Sequence, residues 1–123
     1  MRSLGGPSVC NYVASLSNVV AFPQSVDGQI KFAIAHRRLI QVRYKGILRM
    51  AEPHDYGSQK GVDRLLVFQL RGPARTNQSE TGWRLLDVPK IESLDVLDGT
   101  FRGSRGSSQQ HHHAWDAVYA RVS

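Results

Sequence analysis

Residues 39–53 read Leu39-Ile40-Gln41-Val42-Arg43-Tyr44-Lys45-Gly46-Ile47-Leu48-Arg49-Met50-Ala51-Glu52-Pro53, and this stretch decides the fold. Ile40, Val42 and Tyr44 alternate with Gln41, Arg43 and Lys45, the period of a half-buried strand. Lys45-Gly46 supplies a two-residue hairpin turn, because glycine accepts the positive φ such turns need. On the return strand Leu48 and Met50 are expected to continue the apolar face and Arg49 the outer one. Pro53 is expected to end the ladder, since it has no amide to donate. From Lys31 to Ala51 there is no carboxylate, while Lys31, Arg37, Arg38, Arg43, Lys45 and Arg49 all fall there. A hairpin with one apolar face and this charge bias is suited to meeting an anion.

Working outward, Asp27 is a candidate cap for a helix from about Gly28 to Arg38, with Ile30, Ala33 and Ile34 on one face. After Pro53, residues 54–62 read as a polar loop punctuated by Gly57 and Gly61. Leu65–Leu70 is a compact apolar run suited to a central strand, broken by Gly72-Pro73. A long polar loop spans 74–82, Trp83–Val88 is a fourth strand, Pro89 imposes a kink, and Ile91–Leu97 is a fifth. Five short strands after one helix predict a mainly β fold closed into a small barrel. Trp115, Val118, Tyr119 and Val122 recur at helical spacing and predict a short C-terminal helix packed back on the barrel. The expected organisation is a leader over 1–25, a helix-plus-barrel domain over 26–101, and a polar linker with the C-terminal helix over 102–123.

The 123 residues suffice for one domain with its own core. Sixteen Lys and Arg against ten Asp and Glu give a formal net charge of +6, which favours anionic partners. Cys10 is the single cysteine, so no internal disulfide is possible and a reducing, cytoplasmic setting is expected. No apolar run reaches the roughly 18 residues a membrane helix needs. The mildly apolar stretch from Val9 to Phe22 is interrupted by Asn11, Ser15, Ser17 and Asn18, and it does not read as a secretion signal.

The order Arg37-Arg38-Leu39, Ile40-Gln41-Val42-Arg43-Tyr44, Arg49-Met50-Ala51-Glu52-Pro53, Leu65–Gln69, Trp83–Ile91 and Leu94-Asp95-Val96-Leu97 before Phe101 resembles the WYL domain over about Ile30 to Phe101. The resemblance implies an SH3-like or Sm-like barrel acting as a ligand-sensing regulatory module of bacterial type. Such domains are similar in binding nucleic acid or nucleotide-like anions on a basic, tyrosine-bearing surface. Two departures stand out: Arg64-Leu65-Leu66 replaces the name-giving Trp-Tyr-Leu, and Lys90 stands where arginine is commoner. With no helix-turn-helix pattern ahead of the barrel, a standalone sensor is implied.

On this resemblance the candidate ligand-binding residues are Tyr44, Arg49, His54, Arg84 and Lys90. Arg49 and Arg84 would clamp phosphate, Tyr44 would donate its hydroxyl, and His54 would bond a base or phosphate. Two have a competing structural role, Arg49 pairing to Glu52 or Asp87 and Tyr44 packing in the core. Trp83 is a candidate for stacking on a base, with Phe68 better suited to the core. His111-His112-His113 reads as a solvated tract, because adjacent histidines rarely converge on one ion, and neither metal nor cofactor is expected. Three readings follow. The first is a non-enzymatic module that binds a nucleotide or single-stranded nucleic acid. The second is a protein–protein or oligomerisation module using the barrel edge and the Trp115–Tyr119 segment. The third is an enzyme with His54 and Asp55 as acid–base residues on one loop.

Overall fold

The computed structural model describes residues 25–74, 79–105 and 115–123. Helix α1 (Val26–Ala35) is followed by β1 (Arg38–Tyr44), β2 (Ile47–Gln59), β3 (Val62–Arg71) and β4 (Gly82–Asp87). A 3₁₀ turn (Val88–Lys90) leads into β5 (Ile91–Thr100), and β6 (Ala117–Arg121) ends the order. Ser25, not Asp27, caps α1: its hydroxyl accepts from the Gly28 amide at 3.0 Å. Asp27 instead sits in the first turn, where a carboxylate complements the helix dipole, and pairs with Lys31 at 3.2 Å.

The strands form one antiparallel sheet in the order β4-β3-β2-β1-β5, with β6 added beside β2. Among the described strands β4 and β5 do not pair, so the ladder is six-stranded and open where a closed five-stranded barrel was expected. Ile30, Ala33 and Ile34 of α1 belong to one core with Ile40, Val42, Tyr44, Ala51, Tyr56, Leu65, Val67, Leu86, Leu94 and Val122. The alternation of β1 is as its sequence reads: Ile40, Val42 and Tyr44 are buried, while Arg43 and Lys45 are exposed.

Three expectations are corrected. The two-residue turn, with both Lys45 and Gly46 at positive φ, pairs Tyr44 with Ile47, Arg43 with Leu48 and Val42 with Arg49. Partners across a ladder share a face, so Arg49 lies on the inner face and Leu48, 47% exposed, on the outer one. Second, Pro53 does not end the strand, and 54–59 is strand, not loop. One edge of β2 pairs with β1 through Ala51 and with β6 from Asp55, leaving Pro53 between the two, beside a bulge in the β3 pairing. Its missing amide therefore costs the sheet little. The polar residues of 54–59 run on to a second tight turn at Lys60-Gly61, again with two positive φ values.

Third, the C-terminal segment is strand β6, not a helix. Residues 115–122 are too few for a helix to be stable by itself, and the β2 edge offers backbone groups that need partners. The Asp116 amide donates to Ser58 at 2.8 Å and the Val122 amide to His54 at 2.9 Å. A Cβ at Gly57 would collide with the Ala117 carbonyl, so the glycine is what lets β6 approach. Among the described residues no helix is long and apolar enough to cross a membrane. The expectations for Cys10, for most of the 1–25 leader and for His111–His113 lie outside the described residues.

Candidate functional site

The parity of the first hairpin is what builds the site. With Arg49 on the same face as Val42 and Tyr44, its guanidinium carbon comes to 5.2 Å from the centre of the Tyr44 ring. Arg84 reaches the same face through β3, because it pairs with Val67 in the β4 ladder. Tyr44, Lys45, Arg49 and Arg84 line one cavity of about 390 Å³, within the roughly 300–1,000 Å³ of small-molecule pockets. Lys45 adds an ammonium 5.9 Å from the Tyr44 ring centre.

The donors at this cavity are held in place by neutral acceptors. Arg49 Nη1 donates to Gln69 Oε1 at 3.3 Å and Nη2 to the Tyr44 carbonyl at 3.4 Å. Its Nε is buried and has no hydrogen-bond partner among the described residues. Arg84 donates to the carbonyls of Trp83 and Ser79, at 3.0 and 2.8 Å. The Tyr44 hydroxyl accepts from the Asp87 amide at 3.1 Å, which leaves its own proton available.

Neither arginine, nor Lys45, forms an ion pair with a described carboxylate: Asp87 is taken by Arg64 and Lys90, while Glu80 and Glu92 accept from the Gly72 and Gly46 amides. Burial holds the Arg49 guanidinium below its ordinary pKa; Tyr44 acts the other way, and the Arg84 cation adds to the depression. Arginine stays charged regardless. The consequence is positive charge gathered at a partly desolvated surface with no direct ion pair among the described residues, a condition that favours an anion.

The other expected residues are placed elsewhere. His54 and Trp83 belong to the opposite face, where Glu52, Phe68 and Trp83 stand in register across three strands. His54 is fully buried, its Nε2 lies 3.1 Å from Glu52 Oε1, and its ring packs on Trp83 and Phe101 at 4.8 and 5.4 Å. Burial lowers the His54 pKa, against the raising effects of Glu52 and Asp55. The Trp83 ring also meets Phe68 edge-on at 5.1 Å, so its aromatic contacts are internal. Lys90 follows β4 in the 3₁₀ turn and pairs with Asp87 at 3.5 Å, a carboxylate that Arg64 also holds at 3.1 Å. His54 and Asp55 are both buried in strand β2, not on a loop, and Asp55 pairs with Arg121 at 3.0 Å. Among the described residues no cluster of His, Cys, Asp or Glu could hold a metal ion.

Gln69 is the residue that sequence reasoning missed. Fully buried, it accepts from Arg49 and donates to the carbonyls of Pro73 and Glu80, at 3.0 and 2.8 Å. It thereby ties the cavity wall to both ends of the connection between β3 and β4. The signal was present: Gln69 falls on the apolar parity of Leu65 and Val67, where an unpaired amide would be costly. In comparisons with known proteins, no family model matches the chain, and neither a curated protein nor a solved structure does.

Proposed function

We propose that this chain is a non-enzymatic, ligand-sensing or regulatory module that binds an anionic ligand, a nucleotide or single-stranded nucleic acid, in the Tyr44–Lys45–Arg49–Arg84 cavity. The observation that carries this reading is the convergence of three cations and a tyrosine hydroxyl with no carboxylate partner among the described residues. The net charge of +6 supports an anionic partner. The resemblance to the WYL domain points the same way and implies a bacterial, cytoplasmic setting.

The role first given to His54 and Lys90 passes in this reading to Lys45. Titration of a labelled single-stranded oligonucleotide and of free nucleotides, at two salt concentrations, tests it. Three engaged cations give a log–log salt slope of about −2 on a single strand. Arg49→Ala and Arg84→Ala should each weaken binding about tenfold or more, the cost of a charged hydrogen bond. Absence of saturable binding to any of these ligands contradicts the reading.

A second reading is a protein–protein or oligomerisation module. It draws on β6, which among the described strands pairs with β2 alone and leaves Val118 45% and Tyr119 43% exposed. Light scattering separates the two: dimerisation that Arg49→Ala and Arg84→Ala leave unchanged favours this alternative.

A further inference from the structure

On the face opposite the cationic cavity, Arg105 enters a site with the chemistry of a guanidinium receptor. Its Nε and Nη2 donate to Glu52 Oε1 and Oε2, both at 2.9 Å, the two-pronged match of a planar fork to a carboxylate. Its guanidinium carbon lies 3.6 Å from the centre of the Phe68 ring, so the cation is stacked as well as paired.

The receptor side is built without Arg105. Glu52 is fixed by its place in β2 and by His54 Nε2, and His54 is locked between Trp83 and Phe101. Phe68 is fixed by its register with Glu52 and by the Trp83 ring. The ligand side is different: the Arg105 side chain is 40% exposed, against 9% for Glu52. A cavity of about 470 Å³ opens beside the pair, walled by Leu39, Leu70, Phe101 and Arg102, and gives a second chain room to enter.

We propose that Glu52 and Phe68 form an arginine-binding site, occupied here by Arg105 as an internal ligand, which exchanges it for the arginine of a partner peptide. His54 is a positioning residue that holds the carboxylate. Selectivity for arginine over lysine follows from the two-pronged contact and the flat stacking face, neither of which an ammonium reproduces.

The test uses the tripeptides Gly-Arg-Gly and Gly-Lys-Gly, followed by backbone amide shifts of Glu52 and Phe68. Arg105→Ala should show saturable shifts with Gly-Arg-Gly at concentrations at least tenfold below those needed by the unaltered chain and by Gly-Lys-Gly. Adding Glu52→Gln to that variant should abolish them. No saturable shifts in folded Arg105→Ala, or equal response to both peptides, overturns the proposal. If Arg105→Ala does not fold, the unaltered chain decides through the Arg105 Nε–Hε resonance. Its movement toward the solvent-exposed value on adding Gly-Arg-Gly supports exchange; a resonance that stays fixed up to the solubility limit shows a permanent structural tie and overturns it.

Discussion

Arg49 and Tyr44 face each other across the first hairpin, cation over ring at 5.2 Å, with the arginine's Nε buried and unbonded among the described residues. This relationship depends on the turn. A two-residue connection pairs Tyr44 with Ile47 and so sets every odd residue of the return strand beside the even residues of β1. Exchanging the two neighbours, Leu48→Arg together with Arg49→Leu, moves the guanidinium to the outer face without changing the net charge. That double variant should weaken oligonucleotide binding as much as Arg49→Ala does; unchanged binding would mean that Arg49 is not part of the site.

Tyr44 has two duties that one substitution separates. Tyr44→Phe leaves the Asp87 amide without its acceptor, a cost of about 1 kcal/mol in urea denaturation. Under the proposed function it also removes a hydroxyl donor from the cavity lining, so affinity should fall while the salt slope stays the same. A changed slope would count against this division, since no charge is lost.

Gln69 is predicted to matter beyond its own bonds. Gln69→Met keeps the approximate volume but strands the carbonyls of Pro73 and Glu80 and frees Arg49 Nη1. Destabilisation of about 1–3 kcal/mol is expected from the lost buried hydrogen bonds. Ligand affinity should fall with it, and a stability loss without any loss of binding would show that Gln69 does not position Arg49.

The strand pattern of β1 and the tight turn after it were legible in the sequence, because alternation and a lysine–glycine pair leave few alternatives. Tyr44, Arg49 and Arg84 were legible as a set, and the structure brings those three together. What misled was local chemistry read without its partner strand. Hydrophobicity alone puts Leu48 and Met50 on the inner face, whereas the two-residue turn dictates the reverse. Pro53 reads as a stop, and only the change of neighbour from β1 to β6 along β2 makes it harmless. The polarity of His54 and Asp55 suggested a loop. Their partners, Glu52 beside His54 and Arg121 with Asp55, are what allow them to be buried, and Arg121 is 66 positions away. The helical spacing of Trp115, Val118, Tyr119 and Val122 was overruled by an available sheet edge, a tertiary fact.

Gly57 tests that last point. Gly57→Ala places a methyl group against the Ala117 carbonyl, and overpacking of this kind costs about 1–3 kcal/mol. Hydrogen-exchange protection should drop first at the Asp116 and Val122 amides, which bond β2. Uniform loss across all strands would indicate that β6 is not a separable unit.

Burial holds His54 below its ordinary 6.5. The unfolded chain therefore takes up this proton first as pH falls. The stability contributed by neutral His54 is fully present above about pH 6.5 and declines below it, toward the depressed folded value. Denaturation midpoints at pH 7.5 and 5.5 should differ less in His54→Gln than in the unaltered chain; an equal difference would place the titrating group elsewhere.

The side-chain Nε–Hε resonances of Arg49 and Arg84, followed by NMR as a short single-stranded oligonucleotide or a nucleotide is added, bear most directly on the cationic cavity. Binding there predicts that both shift and saturate together, with one dissociation constant that rises with salt, while the Arg121 resonance stays fixed. Shifts spread evenly over all arginines, or none at Arg49 and Arg84 while ligand is demonstrably bound, would contradict the account.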